Sequence, residues 1–415
     1  MLFCKTFFTF SEKDVKDLNI FGIICEYNPF HNGHLYQIEQ TKKSGADGIV
    51  CVMSGNFVQR AECAIMRKEA RAEAAIKCGA DLVIELPLPY SISSAERFAR
   101  GGISILSSLG VVSGISFGAE TDDVNKLAAI AKLLLDPSFD SEVVEEYKKG
   151  VSYPTARYTA LKKHDPALSE VLKTPNNILA VEYIKALLSL NSKIAPLPIL
   201  RHGAAHDTKN EEGAFASASH IRELFFTDKE FSHLLPKASH SKLADEKALG
   251  CAPLNRFDLD RAELTVLKRL TASDFLKYSD VSEGLEHRLY TAVSKSTTLD
   301  GAISLAKSKR YTHSRIRRIL LNAFLDVDSS FAEENSPYAR ILAFNETGRK
   351  IVKAAKKTSD IPIITRPSSI KNESKKAQDF FALERRADDI YSLFMPSPQK
   401  QGSTLTSSPK LISVK

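Results

Sequence analysis

The residues best suited to chemistry lie in Asn28–His34 (NPFHNGH), between a predicted strand and a predicted helix. His31 and His34 are three residues apart, so both imidazoles would lie on one face of a helical first turn. Gly33 has no Cβ and would let a ligand approach the backbone. The free N–H groups and positive dipole end of a helix favour an anion at this place. Together these residue types predict a cradle for the phosphates of a nucleoside triphosphate.

Two other interpretations of the histidine pair remain open. Histidines at this spacing also occur where backbone carbonyls satisfy both rings, and only the strand–turn–helix context favours the phosphate interpretation. A zinc site would need a third and a fourth ligand, and Cys25 would have to supply one of them from inside a strand. We therefore predict no protein-bound metal at this motif.

A second candidate for phosphate contacts is the segment Ser217–Arg222 (SASHIR). Ser217 or Ser219 could cap a helix whose N-terminal amides point at phosphates, and the forked guanidinium of Arg222 could bind a phosphate oxygen. The same spacing is also typical of a plain helix cap followed by a solvated arginine. The position of the segment after the last predicted core strand keeps both interpretations open.

These motifs need a scaffold, and the first half of the chain predicts one from its alternation of apolar runs and amphipathic segments. The predicted strands are Asn19–Tyr27, Gly48–Met53, Leu82–Leu86, Val112–Phe117 and Ile194–Leu200, and the predicted helices include Asn32–Lys43, Arg67–Cys78 and Ser94–Leu109. Strands that alternate with helices indicate βαβ units. We therefore predict an α/β fold with a Rossmann-like parallel sheet, whose carboxyl edge would carry the ligand.

The chain changes character after about residue 228, where strand patterns become scarce. Helices with basic faces are predicted at Glu283–Lys295, Leu299–Lys309, Ser314–Phe324 and Tyr338–Phe344. The segment from Pro396 is rich in Ser, Thr, Pro, Gln and Lys, which is typical of disorder. We expect a poorly ordered extension over residues 1–18, an α/β domain over 19–228, a mainly helical domain over 229–395 and a disordered tail over 396–415.

Composition excludes several classes of protein. With 43% hydrophobic and 26% charged residues, the chain is neither disordered throughout nor a collagen or a coiled coil. No stretch reaches the roughly 18 apolar residues of a membrane span, and the start lacks a signal cleavage site. The six cysteines form no C-x-x-C pair, which indicates free thiols in a reducing compartment, so we expect a cytoplasmic protein. A net charge of +7 is compatible with a polyanionic partner.

The sequence also resembles a known family. HNGH (His31–His34) after an N-terminal strand is similar to the H-x-G-H signature of the HIGH-type nucleotidyltransferases. Eight segments resemble the tRNA(Met) cytidine acetate ligase family: EYNPFHNGHL (Glu26–Leu35), VMSGNFVQR (Val52–Arg60), DLVIELP (Asp81–Pro87), FARGGISIL (Phe98–Leu106), FGAE (Phe117–Glu120), KTPNNILAVEY (Lys173–Tyr183), EGLEHRL (Glu283–Leu289) and KSKRYT (Lys307–Thr312). The resemblance implies a nucleotidyltransferase-like catalytic domain followed by a helical tRNA-binding domain.

The resemblance implies an ATP-dependent ligase that forms a carbon–nitrogen bond. ATP would activate acetate as acetyl-adenylate, and the acetyl group would pass to N4 of the wobble cytidine of elongator tRNA(Met), giving N4-acetylcytidine. The ATP-binding residues implied by motif are Ile24, Cys25, Glu26, Tyr27, Asn28, Pro29, Phe30, His31, Asn32, Gly33, His34, Leu35, Tyr36, Gln37, Gly118, Asn176, Arg201 and His202. The family usually has Arg-Ile or a similar pair where this chain has Arg201–His202. Ser217, Ser219 and Arg222 resemble the late serine–arginine motif of the superfamily.

The implied catalytic residues are His31 and His34, which would donate to the phosphates as the pentavalent phosphorus forms. Mg²⁺ would bridge the pyrophosphate oxygens and be held mainly by ATP, because magnesium needs few protein ligands. Asn56, Gln59 and Arg60 follow the second predicted strand. They could reach the acetate or the cytosine, or could be solvated loop residues.

A basic stretch, Lys307–Arg318 (KSKRYTHSRIRR), is the candidate RNA contact. Its cations are Lys307, Lys309, Arg310, Arg315, Arg317 and Arg318, and it contains no acidic residue. Arg315 and Arg318 would share one helical face, which suits contacts along a phosphate backbone. A run of charge is also typical of a solvated helix face.

Two other functions remain open. A different HIGH-type adenylyltransferase, or an acetate:protein ligase, would act on a substrate other than RNA and would not need the basic stretch. A non-catalytic RNA-binding protein could keep the nucleotide pocket, although the intact pair His31 and His34 argues against it.

Overall fold

The computed structural model describes residues 18–201, 215–282, 284–332 and 335–414. The elements up to residue 200 are β1 (Ile20–Cys25), α1 (Asn32–Lys43), β2 (Gly48–Ser54), β3 (Phe57–Val58), β4 (Glu62–Cys63), α2 (Lys68–Lys77), β5 (Leu82–Leu86), α3 (Leu88–Ser91), α4 (Ala95–Ser108), β6 (Gly114–Ala119), α5 (Val124–Leu133), α6 (Pro137–Lys148), α7 (Tyr153–His164), α8 (Pro166–Val171), α9 (Pro175–Ser189) and β7 (Ala195–Leu200). The predicted extension over residues 1–18 lies outside the described residues except for Leu18.

The elements after residue 214 are mostly helices until the sheet is rejoined. They are α10 (Ala218–Phe226), α11 (Lys237–Ala248), α12 (Arg256–Leu267), α13 (Leu285–Lys295), α14 (Leu299–Ala306), α15 (His313–Leu325), β8 (Ala339–Phe344), α16 (Glu346–Thr358), β9 (Ile363–Ile364), α17 (Lys375–Leu393), α18 (Ser403–Thr406) and β10 (Lys410–Leu411). The predicted helices at 283–295, 299–309 and 314–324 correspond to α13, α14 and α15, while Glu283 itself lies outside the described residues. No helix in the described ranges is long and apolar enough to cross a membrane.

The central sheet has the strand order β10-β8-β5-β2-β1-β6-β7, and β9 pairs with β8. β1 pairs in parallel with β2 on one side and with β6 on the other. Every residue of β2 and β5 is buried, as expected for strands covered by helices on both faces. The predicted α/β fold with a parallel sheet is confirmed. Its carboxyl edge, where β1 and β6 end, is the place at which such sheets bind ligands.

The C-terminal part of the chain returns to this sheet, and two predictions are wrong here. Tyr338–Phe344 was expected to be helical, but Ala339–Phe344 is strand β8 and pairs antiparallel with β5. The tail from residue 396 was expected to be disordered, but it contains α18 and β10, and β10 pairs with β8. The range 229–395 therefore includes two strands of the main sheet, β8 and β9. The pairing partner of β8 is about 250 residues earlier in the chain, so no local pattern reveals it.

A cluster of buried charges joins this returning segment to the first half. The ammonium group of Lys68, on α2, lies 2.5 Å from Oε1 of Glu85 and also contacts Oδ2 of Asp388 on α17. Arg340 of β8 donates to the other oxygen of Glu85 at 2.8 Å. Burial alone would lower the pKa of Lys68, but the carboxylates of Asp388 and Glu85 raise it, so the ammonium group stays charged. The cluster locks α2, β5, β8 and α17 in one arrangement.

Removing the central cation of this cluster should destabilise the protein strongly. Lys68→Met leaves the buried carboxylate of Asp388 without its cation, and such a loss typically costs about 3–5 kcal/mol in the free energy of unfolding. Urea denaturation followed by circular dichroism measures the change. Lys132→Met, at an exposed position of α5, is the matched control. A loss below about 1 kcal/mol for Lys68→Met, the range of a surface ion pair, would contradict this account of the cluster.

Candidate active site

The candidate site is a pocket at the carboxyl ends of β1 and β6, bordered by α9, by α10 and by the hairpin β3–β4. It is lined by Ile24, Cys25, Glu26, Tyr27, Asn28, His31, His34, Gln37, Gln59, Arg60, Phe98, Phe117, Gly118, Asn176, Leu179, Tyr183, Arg201, Ser217, Ala218, Ser219 and Arg222. The pocket thus lies at the sheet edge that the sequence predicts, and most of the predicted ATP-binding residues border it.

His31 and His34 fix each other at the start of α1. His31 is the N-cap residue, with extended backbone angles, and its Nδ1 accepts from the backbone N–H of Gly33 at 3.0 Å. Nδ1 of His34 accepts from the backbone N–H of His31 at 3.2 Å. Because Nδ1 is an acceptor in both rings, the hydrogen bonds assign the proton of each neutral ring to Nε2. Both imidazoles can therefore act as donors through Nε2.

The two rings are stacked and uncharged. Their centroids are 3.7 Å apart and their planes differ by 25°. Burial, with added repulsion from Arg201 and Arg222, lowers the pKa of His31 to about 3. Burial, with His31 and Arg201 as further causes, also lowers the pKa of His34 well below its usual value. Two neutral N–H donors at a helix N-terminus suit phosphate oxygens.

The structure gives a different reason for glycine at position 33 from the one that the sequence suggests. We expected its missing Cβ to make room for a ligand, but a Cβ there would lie 2.9 Å from Cε1 and 3.1 Å from Nδ1 of His31. The imidazole of His31 fills the space beside Cα of Gly33. Glycine at this position therefore allows the stacked arrangement of His31 and His34.

One side of the pocket is formed by β6, β7 and the start of α9. Nδ2 of Asn176 donates to Oε1 of Glu120 at 2.6 Å, and Nη1 of Arg201 donates to Oδ1 of Asn176 at 3.4 Å. Glu120 also accepts from the backbone N–H of Asn177 at 2.9 Å. The rings of Phe117 and Tyr183, together with Leu179, add an apolar wall on this side. An apolar wall beside a few fixed polar groups is typical of a site for a nucleoside.

The opposite side is formed by α10 and the hairpin β3–β4. Ser217 is the N-cap of α10, and its Oγ accepts from the backbone N–H of His220. Oγ of Ser219 accepts from Arg60 at 3.2 Å and from Arg222 at 3.4 Å. The expected helix cap and the phosphate interpretation of this segment are thus compatible, because both serines and Arg222 line the pocket.

Some of the predicted ATP-binding residues do not line the pocket. These are Pro29, Phe30, Asn32, Gly33, Leu35 and Tyr36. Phe30 is fully buried in the core, and the side chain of Asn32 donates to the carbonyl of His233. His202 lies outside the described residues. The roles of all the predicted site residues stay predictions.

The sequence pattern does not indicate which apolar residues form the walls of the pocket. Phe98, Phe117, Leu179 and Tyr183 line it, but each lies in a strand or helix whose apolar residues also build the core. A buried apolar residue has the same sequence pattern whether it borders a cavity or fills the interior. Gln59 and Arg60 had a signal, because they follow a strand that ends at the ligand edge.

Arg310 and Arg315, two arginines of the basic stretch, contact other parts of the protein. Arg315 donates to the carbonyl of Asp280 at 2.6 Å, and Arg318 lies between buried and exposed. The guanidinium of Arg310 lies 4.4 Å from the ring centroid of Tyr147. These contacts favour a structural use for these side chains over a purely solvated helix face.

Arg317 connects the basic stretch to the pocket. Its Nε donates at 3.1 Å to the carbonyl of Ala61, at the turn of the hairpin β3–β4. Ala61 has a φ of 56°, which places it in the left-handed region. In contrast, Lys307 and Lys309 are exposed. The cations available to an external partner on this stretch are therefore chiefly the two lysines.

Comparison with known proteins gives consistent matches over nearly the whole chain. The model of the family described as HIGH Nucleotidyl Transferase matches residues 18–405. A tRNA(Met) cytidine acetate ligase of Acetivibrio thermocellus is 39% identical, covering 94% of this chain and 99% of the relative. Another, from Clostridium acetobutylicum, is 41% identical over 92% of this chain and 96% of the relative. The crystal structure of Thermotoga maritima TmcAL bound with alpha-thio ATP superposes with a TM-score of 0.89 at 32% identity, covering 95% of this chain and all of that one.

The position of the stacked histidines can be tested through Gly33. In Gly33→Ala, the new methyl group must displace the ring of His31, so we expect the affinity for ATP to fall by roughly tenfold, or about 1.4 kcal/mol. Isothermal titration calorimetry measures the affinity. Glu39→Ala, at an exposed position of the same helix, controls for a general effect on α1. Unchanged ATP affinity in Gly33→Ala would show that the ring arrangement does not matter for binding.

Proposed function

We propose that this protein is an ATP-dependent ligase that modifies tRNA(Met). The chain belongs to the tRNA(Met) cytidine acetate ligase family of HIGH nucleotidyltransferases. ATP converts acetate into acetyl-adenylate, and pyrophosphate is released. The acetyl group then passes to N4 of the wobble cytidine of elongator tRNA(Met), so that N4-acetylcytidine forms and AMP leaves.

The observation that carries this proposal is the stacked pair His31 and His34 at the start of α1, inside a pocket at the carboxyl edge of the sheet. Each neutral imidazole carries an Nε2–H that can donate a hydrogen bond to a phosphate oxygen. The N–H of Gly33 is already bonded to Nδ1 of His31, so the helix contributes the positive end of its dipole, and the rings contribute the donors.

The chemistry of the first step matches these groups. A carboxylate oxygen of acetate attacks the α-phosphorus, and the bond to the pyrophosphate oxygen breaks. The two substrates are anions that repel each other, so the protein must orient them and stabilise the charge on the phosphates. His31 and His34 supply neutral donors, while Arg201 and Arg222 supply the positive charge on either side of the pocket.

We propose that magnesium binds together with ATP, through its phosphate oxygens. The described residues contain no group of three or more His, Cys, Asp or Glu side chains placed to hold a metal ion. An octahedral magnesium ion can instead take its ligands from phosphate oxygens and water. The residues of this chain would then bind the phosphates and leave the ion to the nucleotide.

The cytoplasm is the proposed compartment. The five cysteines in the described part of the chain are free thiols. Free thiols persist in reducing compartments, which supports a cytoplasmic location.

The other candidate function is a HIGH-type adenylyltransferase or acetate:protein ligase with a substrate other than RNA. Such an enzyme would activate acetate in the same pocket but would not transfer it to tRNA. Purified protein supplied with ATP, labelled acetate and tRNA(Met) separates the two functions, because only the proposed ligase makes labelled tRNA.

Acetate-dependent exchange of pyrophosphate into ATP tests the role of His34. We expect the unchanged protein to catalyse exchange without tRNA. In His34→Ala, we expect the exchange rate to fall about 100-fold or more, because this is the typical effect of removing one preorganised donor at a reacting group. His240→Ala, on α11 and outside the pocket lining, is the matched control. Robust exchange in His34→Ala would rule out the proposed role of this ring.

The exposed lysines of the basic stretch should contribute to tRNA binding. Replacing both Lys307 and Lys309 by Ala removes up to two phosphate contacts, so tRNA(Met) should bind more weakly and the slope of log affinity against log salt should fall by about 1–2. Filter binding at several salt concentrations measures both quantities. The double replacement of Lys126 and Lys132, exposed on α5, is the control. An unchanged salt slope would place the tRNA elsewhere.

A further inference from the structure

Glu26 is the only Asp or Glu among the described residues that line the pocket, and its carboxylate has no chemical part in the attack of acetate on the α-phosphorus. Glu26 directly follows β1, and its side chain lines the pocket. Oε1 accepts from the backbone N–H of Gln59 at 2.8 Å. Among the described residues, this is the only hydrogen bond to the carboxylate, so Oε2 is available to a substrate.

Glu26 adjoins the side of the pocket that the hairpin β3–β4 forms. Gly118 and Arg201 belong to β6 and to the end of β7, on one side of β1. The sheet order puts β2 on the other side of β1, and the hairpin that follows β2 carries Gln59 and Arg60. The second substrate can therefore reach the reacting phosphorus from the hairpin side, next to Glu26.

The helical part of the chain adjoins this same side. Arg317 of α15 donates to the carbonyl of Ala61, which follows Arg60 at the turn of the hairpin. An RNA that binds the helical part could therefore extend a nucleotide past the hairpin into the pocket. The carboxylate of Glu26 is bonded to this hairpin through the N–H of Gln59, so it lies beside this route.

The other titratable groups of the pocket cannot accept a proton readily. His31 and His34 already use Nδ1 as an acceptor and carry their proton on Nε2, and their pKa values are lowered. Burial raises the pKa of the Cys25 thiol and of the phenols of Tyr27 and Tyr183, so these groups keep their protons at neutral pH. Among the described lining residues, this leaves Glu26.

The surroundings of Glu26 make it a better base than an exposed glutamate. Burial raises the pKa of its carboxyl group, and the N–H of Gln59 lowers it. The cations Arg222, Arg60 and Arg71, from α10, the hairpin and α2, lower it further, but the net shift is upward. A raised pKa makes the ionised carboxylate a stronger base toward the proton of a substrate.

We propose that Glu26 is the proton acceptor of the acyl-transfer step, taking a proton from the exocyclic amine of the target cytosine. This proposal rests on the proposed function. The lone pair of that amine is delocalised into the base, so its attack on the acetyl group is helped when a base removes the proton that N4 must lose.

N4 attacks the carbonyl carbon of acetyl-adenylate, and an N–C bond forms. The bond from that carbon to the phosphate oxygen breaks, and AMP leaves with its electron pair. One proton of N4 passes to the Glu26 carboxylate, which later returns it to solvent. No oxidant or further reactant is needed.

The test separates the two half-reactions in Glu26→Gln. Gln keeps the size of the side chain and an acceptor oxygen for the N–H of Gln59, but it cannot take a proton at neutral pH. Because Glu26 also lies in the implied ATP-binding segment, both reactions can fall, but we expect transfer of labelled acetate to tRNA(Met) to fall about 100-fold more than acetate-dependent ATP–pyrophosphate exchange. Glu39→Gln, exposed on α1, is the matched control and should change neither reaction.

The pH dependence gives a second readout that a structural role would not move. The single-turnover transfer rate of the unchanged protein should rise with pH as the Glu26 carboxyl group ionises. Glu26→Gln should lose this rise, and Glu26→Asp should keep it at a reduced rate. Circular dichroism and the melting temperature check that each variant is folded.

Three results would overturn the proposal. Full transfer activity in Glu26→Gln would show that the carboxylate is dispensable. An equal loss of exchange and transfer, or a changed magnesium requirement for exchange, would instead assign Glu26 to the ATP half-reaction. If the unchanged protein performs exchange but acetylates no tRNA, the proposed function fails, and this proposal fails with it.

Discussion

The arrangement of the whole molecule depends on one buried cation. The ammonium group of Lys68 is fully buried, and a buried ammonium group is costly unless it is paired with opposite charge and hydrogen-bonded. Its two carboxylate partners, Glu85 and Asp388, come from positions about 300 residues apart in the chain. Arg340 balances the second oxygen of Glu85. The C-terminal segment must therefore return to the sheet for the first half of the chain to satisfy its own charge.

This constraint extends to the pocket through Asn56. The side chain of Asn56 accepts from the backbone N–H of Lys68 and donates to Asp388, both at 2.8 Å. Asn56 precedes the hairpin β3–β4, so the buried cluster fixes one end of the hairpin, and the bond from Arg317 to the carbonyl of Ala61 fixes its turn. The side of the pocket that carries Arg60 and borders Glu26 is therefore held by contacts from remote parts of the chain. The phosphate side, built from α1 and its cap, is held by local hydrogen bonds.

This difference explains how much could be predicted from the sequence. His31, Gly33 and His34 are adjacent in the chain, so their pattern indicated the phosphate site directly, and the alternation of strands and helices indicated the parallel sheet. Strand β8 was missed because Arg340 and its neighbours were interpreted as a helix by local pattern alone, whereas their partner strand is β5. The arginines of the basic stretch were interpreted as exposed, because a sequence does not show that Arg315 and Arg317 meet backbone carbonyls of distant segments.

The central claim of this account is that the pocket acetylates the wobble cytidine of elongator tRNA(Met). Nucleoside mass spectrometry of that tRNA, purified from cells with and without the gene for this protein, tests the claim most directly. We expect N4-acetylcytidine to be present in the first sample, absent from the second and restored by the unchanged gene but not by His34→Ala. Unchanged N4-acetylcytidine in cells that lack the gene would contradict the account.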